Sequence, residues 1–326
     1  MLSFRRGMAT AASRVAVERL PSGIVKVSLS RPDKMNALDM DMFRGIRDAA
    51  KSLIADSSNV RAVVISGEGR SFCAGLDVKS VANPLNPVTA KANMEELLHR
   101  PDGELSNLAQ DVGYLWRRVP APVIAAVHGI CFGGGLQIAL GADMRVASPA
   151  AKLSVMESKW GLIPDMSATV TLPELVPKDV AMELTLTGRI FDGTEALKLG
   201  LVTKLAEAPL EAALALAQEV AERSPDAAAA AKRLLHATYT EAPDDARNLR
   251  LESELQKRLI GGWNQGVCAA KGLGAPAFLQ PNFTKRSEKW AKEVDDQAEA
   301  ELIAMLDGQG LETHSSATGT AAAPAA

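Results

Sequence analysis

What most limits the folds open to this chain is an alternation, through its first two-thirds, of short β-branched or aliphatic runs with amphipathic helical patterns. The runs at 23–29, 61–66, 122–128, 143–147 and 152–155 have the length and composition of buried strands. Between them, Met42, Phe43, Ile46, Ala49, Ala50, Leu53 and Ile54 recur at three- and four-residue spacing, which predicts a helix over 39–56 with one apolar face. Strand alternating with helix predicts an α/β layer architecture. The strands are unevenly spaced, so a regular doubly wound sheet is not expected.

Beyond about Ala206 the pattern changes. Segments 210–223, 226–240 and 246–260 are rich in Ala, Leu, Glu and Lys and free of internal proline, and Ser224-Pro225 and Ala242-Pro243 separate them. A polar helix is expected over 285–306, followed by the low-complexity tail SSATGTAAAPAA. The expected organisation is a leader over 1–17, an α/β core over 18–205, a helical region over 206–283 and an extension with a disordered tail over 284–326.

The 326 residues are 47% hydrophobic, enough for one large core, yet no run approaches 18 uninterrupted apolar residues, so no membrane-spanning helix is expected. Against 39 acids stand 36 Lys and Arg, a net charge of -3, which supplies no general field for a polyanion; nucleic acid is not an expected partner. Cys73, Cys131 and Cys268 make neither a CxxC pair nor a disulfide framework. The first 17 residues carry Arg5, Arg6 and Arg14 with several hydroxyls and no acid before Glu18, as mitochondrial presequences do; a plastid transit peptide shares this composition. The chain ends without SKL, and mitochondrial localisation is the expectation, with plastid or peroxisome as alternatives.

Two glycine-rich loops follow apolar runs. The first is Gly67-Glu-Gly-Arg-Ser-Phe-Cys-Ala-Gly-Leu-Asp77; the second, His128-Gly-Ile-Cys-Phe-Gly-Gly-Gly-Leu-Gln137, opens a helical pattern. Neither matches a Walker loop or GxGxxG. Bare backbone amides at a helix start suit an oxyanion, and two donors converging from two loops would stabilise a thioester enolate.

Together with Arg31-Pro-Asp-Lys-Met-Asn-Ala-Leu38, Gly141-Ala-Asp-Met-Arg-Val-Ala147, Glu157, Gly161-Leu-Ile-Pro164, Leu186-Thr-Gly188 and Glu195-Ala-Leu-Lys-Leu-Gly-Leu-Val202, these loops resemble the crotonase, or enoyl-CoA hydratase/isomerase, family over about residues 15–280. The resemblance implies a spiral core of ββα repeats, a C-terminal helical trimerisation region, and assembly as a homotrimer or hexamer. It further implies an acyl-CoA thioester substrate and a place in fatty-acid β-oxidation, with no metal or redox cofactor beyond the coenzyme A of the substrate. The oxyanion donors that match are the amides of Leu76 and Gly134. Ala74 maps onto the adenine-proximal loop, and Gly75, Asp77 and Gln137 join it as expected substrate-binding residues.

Hydratases of this family carry glutamates at the positions of Gln137 and Glu157. An amide exchanges no proton near neutral pH, so Glu157 alone is expected as their acid/base here. Asp165, in Trp160-Gly-Leu-Ile-Pro-Asp165, stands where hydratases usually have glycine and where the family's dienoyl-CoA isomerases resemble this chain in having an acid. The leading expectation is therefore conversion of 3,5-dienoyl-CoA to 2,4-dienoyl-CoA, with Glu157 and Asp165 as the catalytic pair. The alternatives are a 2-enoyl-CoA hydratase using Glu157 with Gln137 orienting water, and a non-catalytic homologue that binds CoA esters or RNA. His128 is expected as a satisfied core histidine, and Cys73 and Cys131 as packing residues.

Overall fold

The computed structural model describes residues 13–81, 85–240 and 245–286, all within one compact unit. Its main sheet begins with β1 (Val15–Arg19), antiparallel to β2 (Ile24–Leu29). Parallel strands then add in the order β3 (Ala62–Gly67), β4 (Val123–Val127), β6 (Met144–Ala147) and β9 (Lys204–Leu205). A smaller sheet holds β5 (Ile130–Phe132), β7 (Lys152–Ser154) and β8 (Phe191–Asp192), ordered β5-β7-β8.

The continuous apolar runs are explained by what covers the sheet. Alternate residues sort to opposite faces: Val25, Val63, Ile65, Val123 and Ala125 join the main core, while Ile24, Ala62, Val64, Ile124, Ala126 and Val146 pack with Ala213 and Ala217. Both faces are buried, so strict polar alternation has no reason to appear. On the main-core side lie α1 (Met40–Ala55) and α4 (Leu108–Arg118); on the other lies α9 (Pro209–Ala221). Helix α1 starts where the Asp39 carboxylate accepts the Met42 N–H at 2.9 Å, and it turns Met42, Phe43, Ile46, Ala50 and Leu53 inward. Each such fully buried large side chain contributes about 1.5–3 kcal/mol.

Between β3 and α4 the chain forms α2 (Val78–Val81) and α3 (Pro87–Leu98), and Arg44 of α1 pins α3 through a two-pronged contact with Glu96 at 2.8 and 2.6 Å. After β5 come α5 (Gly134–Leu140), α6 (Ala168–Leu175), α7 (Lys178–Thr187) and α8 (Gly193–Leu199). Gly113 of α4 and Gly141 after α5 meet backbone to backbone: a Cβ on Gly141 would stand 1.9 Å from the Gly113 carbonyl oxygen.

The C-terminal part is helical, as expected, with α10 (Pro225–Thr240), α11 (Asp245–Leu259) and α12 (Trp263–Gly272). Asp143 fastens α10 to the sheet. Its carboxylate accepts the Val123 N–H at 2.7 Å and contacts Lys232 Nζ and His236 Nε2, each at 2.8 Å. Lys232 also donates to the carbonyls of Trp116 and Ala121 at 2.8 and 3.1 Å. Burial alone would push the Asp143 carboxyl up; the Lys232 ammonium and His236 outweigh it and hold the carboxyl below the ordinary aspartate range.

One sequence expectation changes. Residues 15–17, assigned to a leader, are three of the five residues of a strand: Val15, Ala16 and Val17 pair with Leu29, Ser28 and Val27, and Arg14 reaches Asp39 at 2.9 Å. A boundary at residue 17 would cut through the sheet. Arg286, at the end of the described residues, is buried and donates to the Pro120 carbonyl. The expected helix beyond 286 and the tail lie outside the described residues, as do residues 1–12.

Asp143→Ala strands a buried ammonium and is expected to destabilise the fold by about 3–5 kcal/mol in chemical denaturation. Adding Lys232→Met to that variant should recover part of the loss. Because the folded state holds the Asp143 carboxyl low, its contribution is present above the ordinary aspartate value and lost as pH falls below about 4, so denaturation midpoints should drop with acid more steeply in wild type than in Asp143→Ala.

Candidate active site

The two glycine loops are in direct contact. Cys73 and Cys131 form an isolated parallel bridge between them, with the Cys73 N–H donating to the Ile130 carbonyl at 3.0 Å and the Phe132 N–H to the Cys73 carbonyl at 3.0 Å. A Cβ on Gly135 would sit 2.5 Å from the Cys73 carbonyl oxygen, and one on Gly75 2.8 Å from that of Phe132 and 3.8 Å from the Gly134 nitrogen. Gly75 also has φ +88°, a left-handed conformation that glycine adopts without penalty. Both thiols are wholly buried; burial pushes Cys73 up to about 12 and Cys131 well above its ordinary value, so these are packing groups and not nucleophiles.

Each loop leaves one amide unclaimed by its own secondary structure. Leu38 bridges to the first loop by donating to the Gly75 carbonyl at 2.8 Å and accepting from the Asp77 N–H at 3.0 Å, which passes over the Leu76 N–H. The Gly134 N–H is the first of helix α5 and has no carbonyl four residues back within the helix. The side chains of Leu38 and Met166 wall this spot: Leu38 Cδ1 and Met166 Sδ lie 2.9 and 2.6 Å from where a Gly134 Cβ would be.

The first loop is aimed by polar residues that sequence reasoning did not place at the site. Asn36, wholly buried and at φ +55°, donates to the carbonyls of Glu68, Ser71 and Phe72 at 2.9, 2.8 and 3.2 Å and accepts the Arg31 N–H at 2.8 Å. The Arg31 guanidinium donates to the Ala37 carbonyl at 3.0 Å and to Asp77 Oδ2 at 2.8 Å. Asp77 Oδ1 accepts the Ser80 N–H at 3.2 Å. Asp77, an expected substrate-binding residue, thus also fastens the loop to Arg31 and to the start of α2. Half-buried Ala74 is likewise tied by its N–H to the Met35 carbonyl at 2.9 Å. His128 is half-buried, with Nε2 3.0 Å from the Gly69 carbonyl oxygen.

Glu157 opens a short 3-10 turn, Glu157–Trp160, and its Oε1 lies 3.4 Å from the position of a Gly133 Cβ. Gln137 Nε2 donates to Glu157 Oε1 at 2.6 Å, while Gln137 Oε1 accepts from the N–H groups of Met166 and Ala168 at 2.8 and 3.3 Å. The amide is therefore engaged at both ends within the protein. Glu157 Oε2 is buried and has no hydrogen-bond partner among the described residues. Burial pushes the Glu157 carboxyl up, and the Asp165 carboxylate adds to the rise; hydrogen bonds from Gln137 and the local backbone pull the other way. Asp165 is exposed, while desolvation by the protein around it raises its carboxyl as well.

The packing distances separate two adjacent glycines. In Gly135→Ala the new methyl meets backbone, and the variant is expected to lose about 1–3 kcal/mol or more of stability. In Gly134→Ala it meets only the ends of Met166 and Leu38 and should cost the fold less. Thermal denaturation of both would check this order.

Comparison with known proteins agrees with this geometry. The family model for enoyl-CoA hydratase/isomerase matches residues 19–269. "Probable enoyl-CoA hydratase EchA12" of Mycobacterium tuberculosis is 34% identical over 286 residues, covering 83% of this chain and 95% of that protein. The peroxisomal Delta(3,5)-Delta(2,4)-dienoyl-CoA isomerase of Arabidopsis thaliana is 28% identical over 277 residues, covering 83% and 94%. Among solved structures, an enoyl-CoA hydratase from Bacillus anthracis superimposes with a TM-score of 0.70 at 26% identity, over 84% of this chain and all of that one. With its core fold and its matched length in accord, the chain belongs to the enoyl-CoA hydratase/isomerase family.

Proposed function

We propose that this enzyme is an acyl-CoA double-bond isomerase that converts 3,5-dienoyl-CoA to 2,4-dienoyl-CoA through a thioester enolate. The observation that carries the reading is the neighbourhood of Glu157: its oxygen Oε2 is buried without a partner among the described residues, and Gln137 ties Glu157 to the Met166 N–H, the residue next to Asp165. The substrate's thioester oxygen would accept from the amides of Leu76 and Gly134. One carboxylate removes a proton from C2, the electron pair moves into the enolate, and the second carboxyl, protonated, delivers a proton to C6 as the double bonds shift into conjugation. Two separated carboxyls divide a transfer that a single short one spans poorly. Neither role needs a metal or a redox cofactor.

Hydration of 2-enoyl-CoA is the second reading, favoured by the hydratase names of similar proteins. It would rest on Glu157 alone, since the Gln137 carbonyl already accepts two backbone N–H groups. We also propose assembly as a trimer or hexamer, because Trp160, Leu162, Ile163 and Leu186 leave large apolar surfaces exposed on the single chain. Mitochondrial placement rests on the basic, acid-free residues that precede Val15. Among the described residues no helix is long and apolar enough to cross a membrane.

Synthetic 3,5-dienoyl-CoA and 2-enoyl-CoA, assayed separately, test the reading. Formation of the 2,4-diene chromophore is expected; rapid hydration without any diene shift would overturn it. Asp165→Asn should cripple isomerisation. Glu157→Gln should lower either activity by about a hundredfold to ten-thousandfold. Because burial raises the Glu157 carboxyl, the acid limb of kcat/KM should fall above the ordinary glutamate value of about 4.3, with activity lost as pH drops through it.

A further inference from the structure

Gln137 is 2% exposed, in a helix whose residues are all buried, and its amide joins three separate pieces of the site. The orientation of that amide is fixed by chemistry. The Met166 and Ala168 N–H groups can only donate, so the carbonyl end must face them and the NH2 end must face Glu157. Three consequences follow from this one side chain. First, one oxygen of Glu157 is occupied and the other, Oε2, is left without a partner among the described residues. Second, a donor beside the carboxylate favours its ionised form and opposes the rise caused by burial. Third, the two backbone donors flank Ser167, which holds φ +76°, a conformation costly for a residue with a side chain, in the turn immediately after Asp165.

We propose that Gln137 is a positioning residue: its amide dedicates Glu157 Oε2 to proton transfer and locks the Asp165 turn at a fixed place relative to it. This rests on the reading of Glu157 as the proton-transfer group. Gln137 touches neither substrate nor the reacting atoms in this account. It acts through Glu157 on one side and through the backbone of residues 166–168 on the other, so that one hydrogen-bonded unit sets both the ionisation of the first carboxyl and the location of the second.

The two ends of the amide can be tested apart. Gln137→Met keeps the length and removes both functions; Gln137→Glu keeps an acceptor for the two backbone N–H groups and turns the Glu157-facing donor into an acceptor. For Gln137→Met, kcat on the acyl-CoA substrate is expected to fall about 10- to 100-fold with KM changed far less, and the acid limb of kcat/KM to move upward by about one pH unit. Gln137→Glu should also move the limb upward, since two carboxyls in contact must share a proton, while keeping thermal stability closer to wild type than Gln137→Met does. If either folded variant shows a wild-type pH profile and only reduced stability, Gln137 is a packing residue and the proposal is overturned. Should Gln137→Met fail to fold, the profile of Gln137→Glu decides alone. Full turnover by Glu157→Gln would instead remove the underlying reading, whatever the Gln137 variants do.

Discussion

The site depends on how closely two stretches of backbone approach one another. The loops that end β3 and β4 pass at distances that a side-chain carbon would forbid, with the missing Cβ atoms of Gly75 and Gly135 creating the space. The main-chain bonds between Cys73, Ile130 and Phe132 then fix their relative height. Amides at residues 76 and 134 owe their availability to that arrangement: the first is skipped by the Leu38 bridge, and the second begins a helix. A donor set made of backbone has a physical advantage over side chains, because it loses no rotamer freedom when charge develops opposite it.

Buried polar side chains hold these loops, bonded to backbone groups and, for Gln137, also to the Glu157 carboxylate. Asn36 spans residues 31, 68, 71 and 72 from a fully buried position, and Gln137 spans 157, 166 and 168. An unpaired amide in such surroundings would cost about 1–3 kcal/mol, so the networks persist only while every partner stays in place. That stringency makes the loops rigid. Asp77, next in sequence to Leu76, belongs to the same fastening, pairing with Arg31 and with the start of α2.

Those networks mark the boundary of what the chain discloses by pattern alone. The long elements were legible: β2, β3, β4 and β6 lie within a residue of the apolar runs, and the spacing of Met42, Phe43, Ile46 and Leu53 places α1 with Asp39 as its cap. The two-residue strands β8 and β9 carry too few residues for any period to emerge. Edge strand β1 was missed because its exposed, charged sequence, Val-Ala-Val-Glu-Arg, continues the basic composition of the preceding segment. At the site, Glu157 and the two glycine loops were identifiable from the motif, whereas most partners of Asn36, Asp77 and Gln137 lie 20 to 46 positions away and depend on tertiary contact.

An amide at position 137 also changes what kind of proton chemistry the pocket favours. Two carboxylates 4 Å apart repel by about 4 kcal/mol at an effective dielectric of 20, and at the 2.6 Å contact seen here a pair of acids would have to hold a proton between them. Such a shared proton suits addition of water, where one group takes a proton as its neighbour gives one to the same small volume. With glutamine in that place, the contact partner of Glu157 is neutral, Oε2 is without a partner among the described residues, and the charged group that raises its carboxyl is the exposed Asp165. In the proposed isomerase reading the two carboxyls act at different carbons of the acyl chain, an arrangement that suits moving hydrogen between carbons.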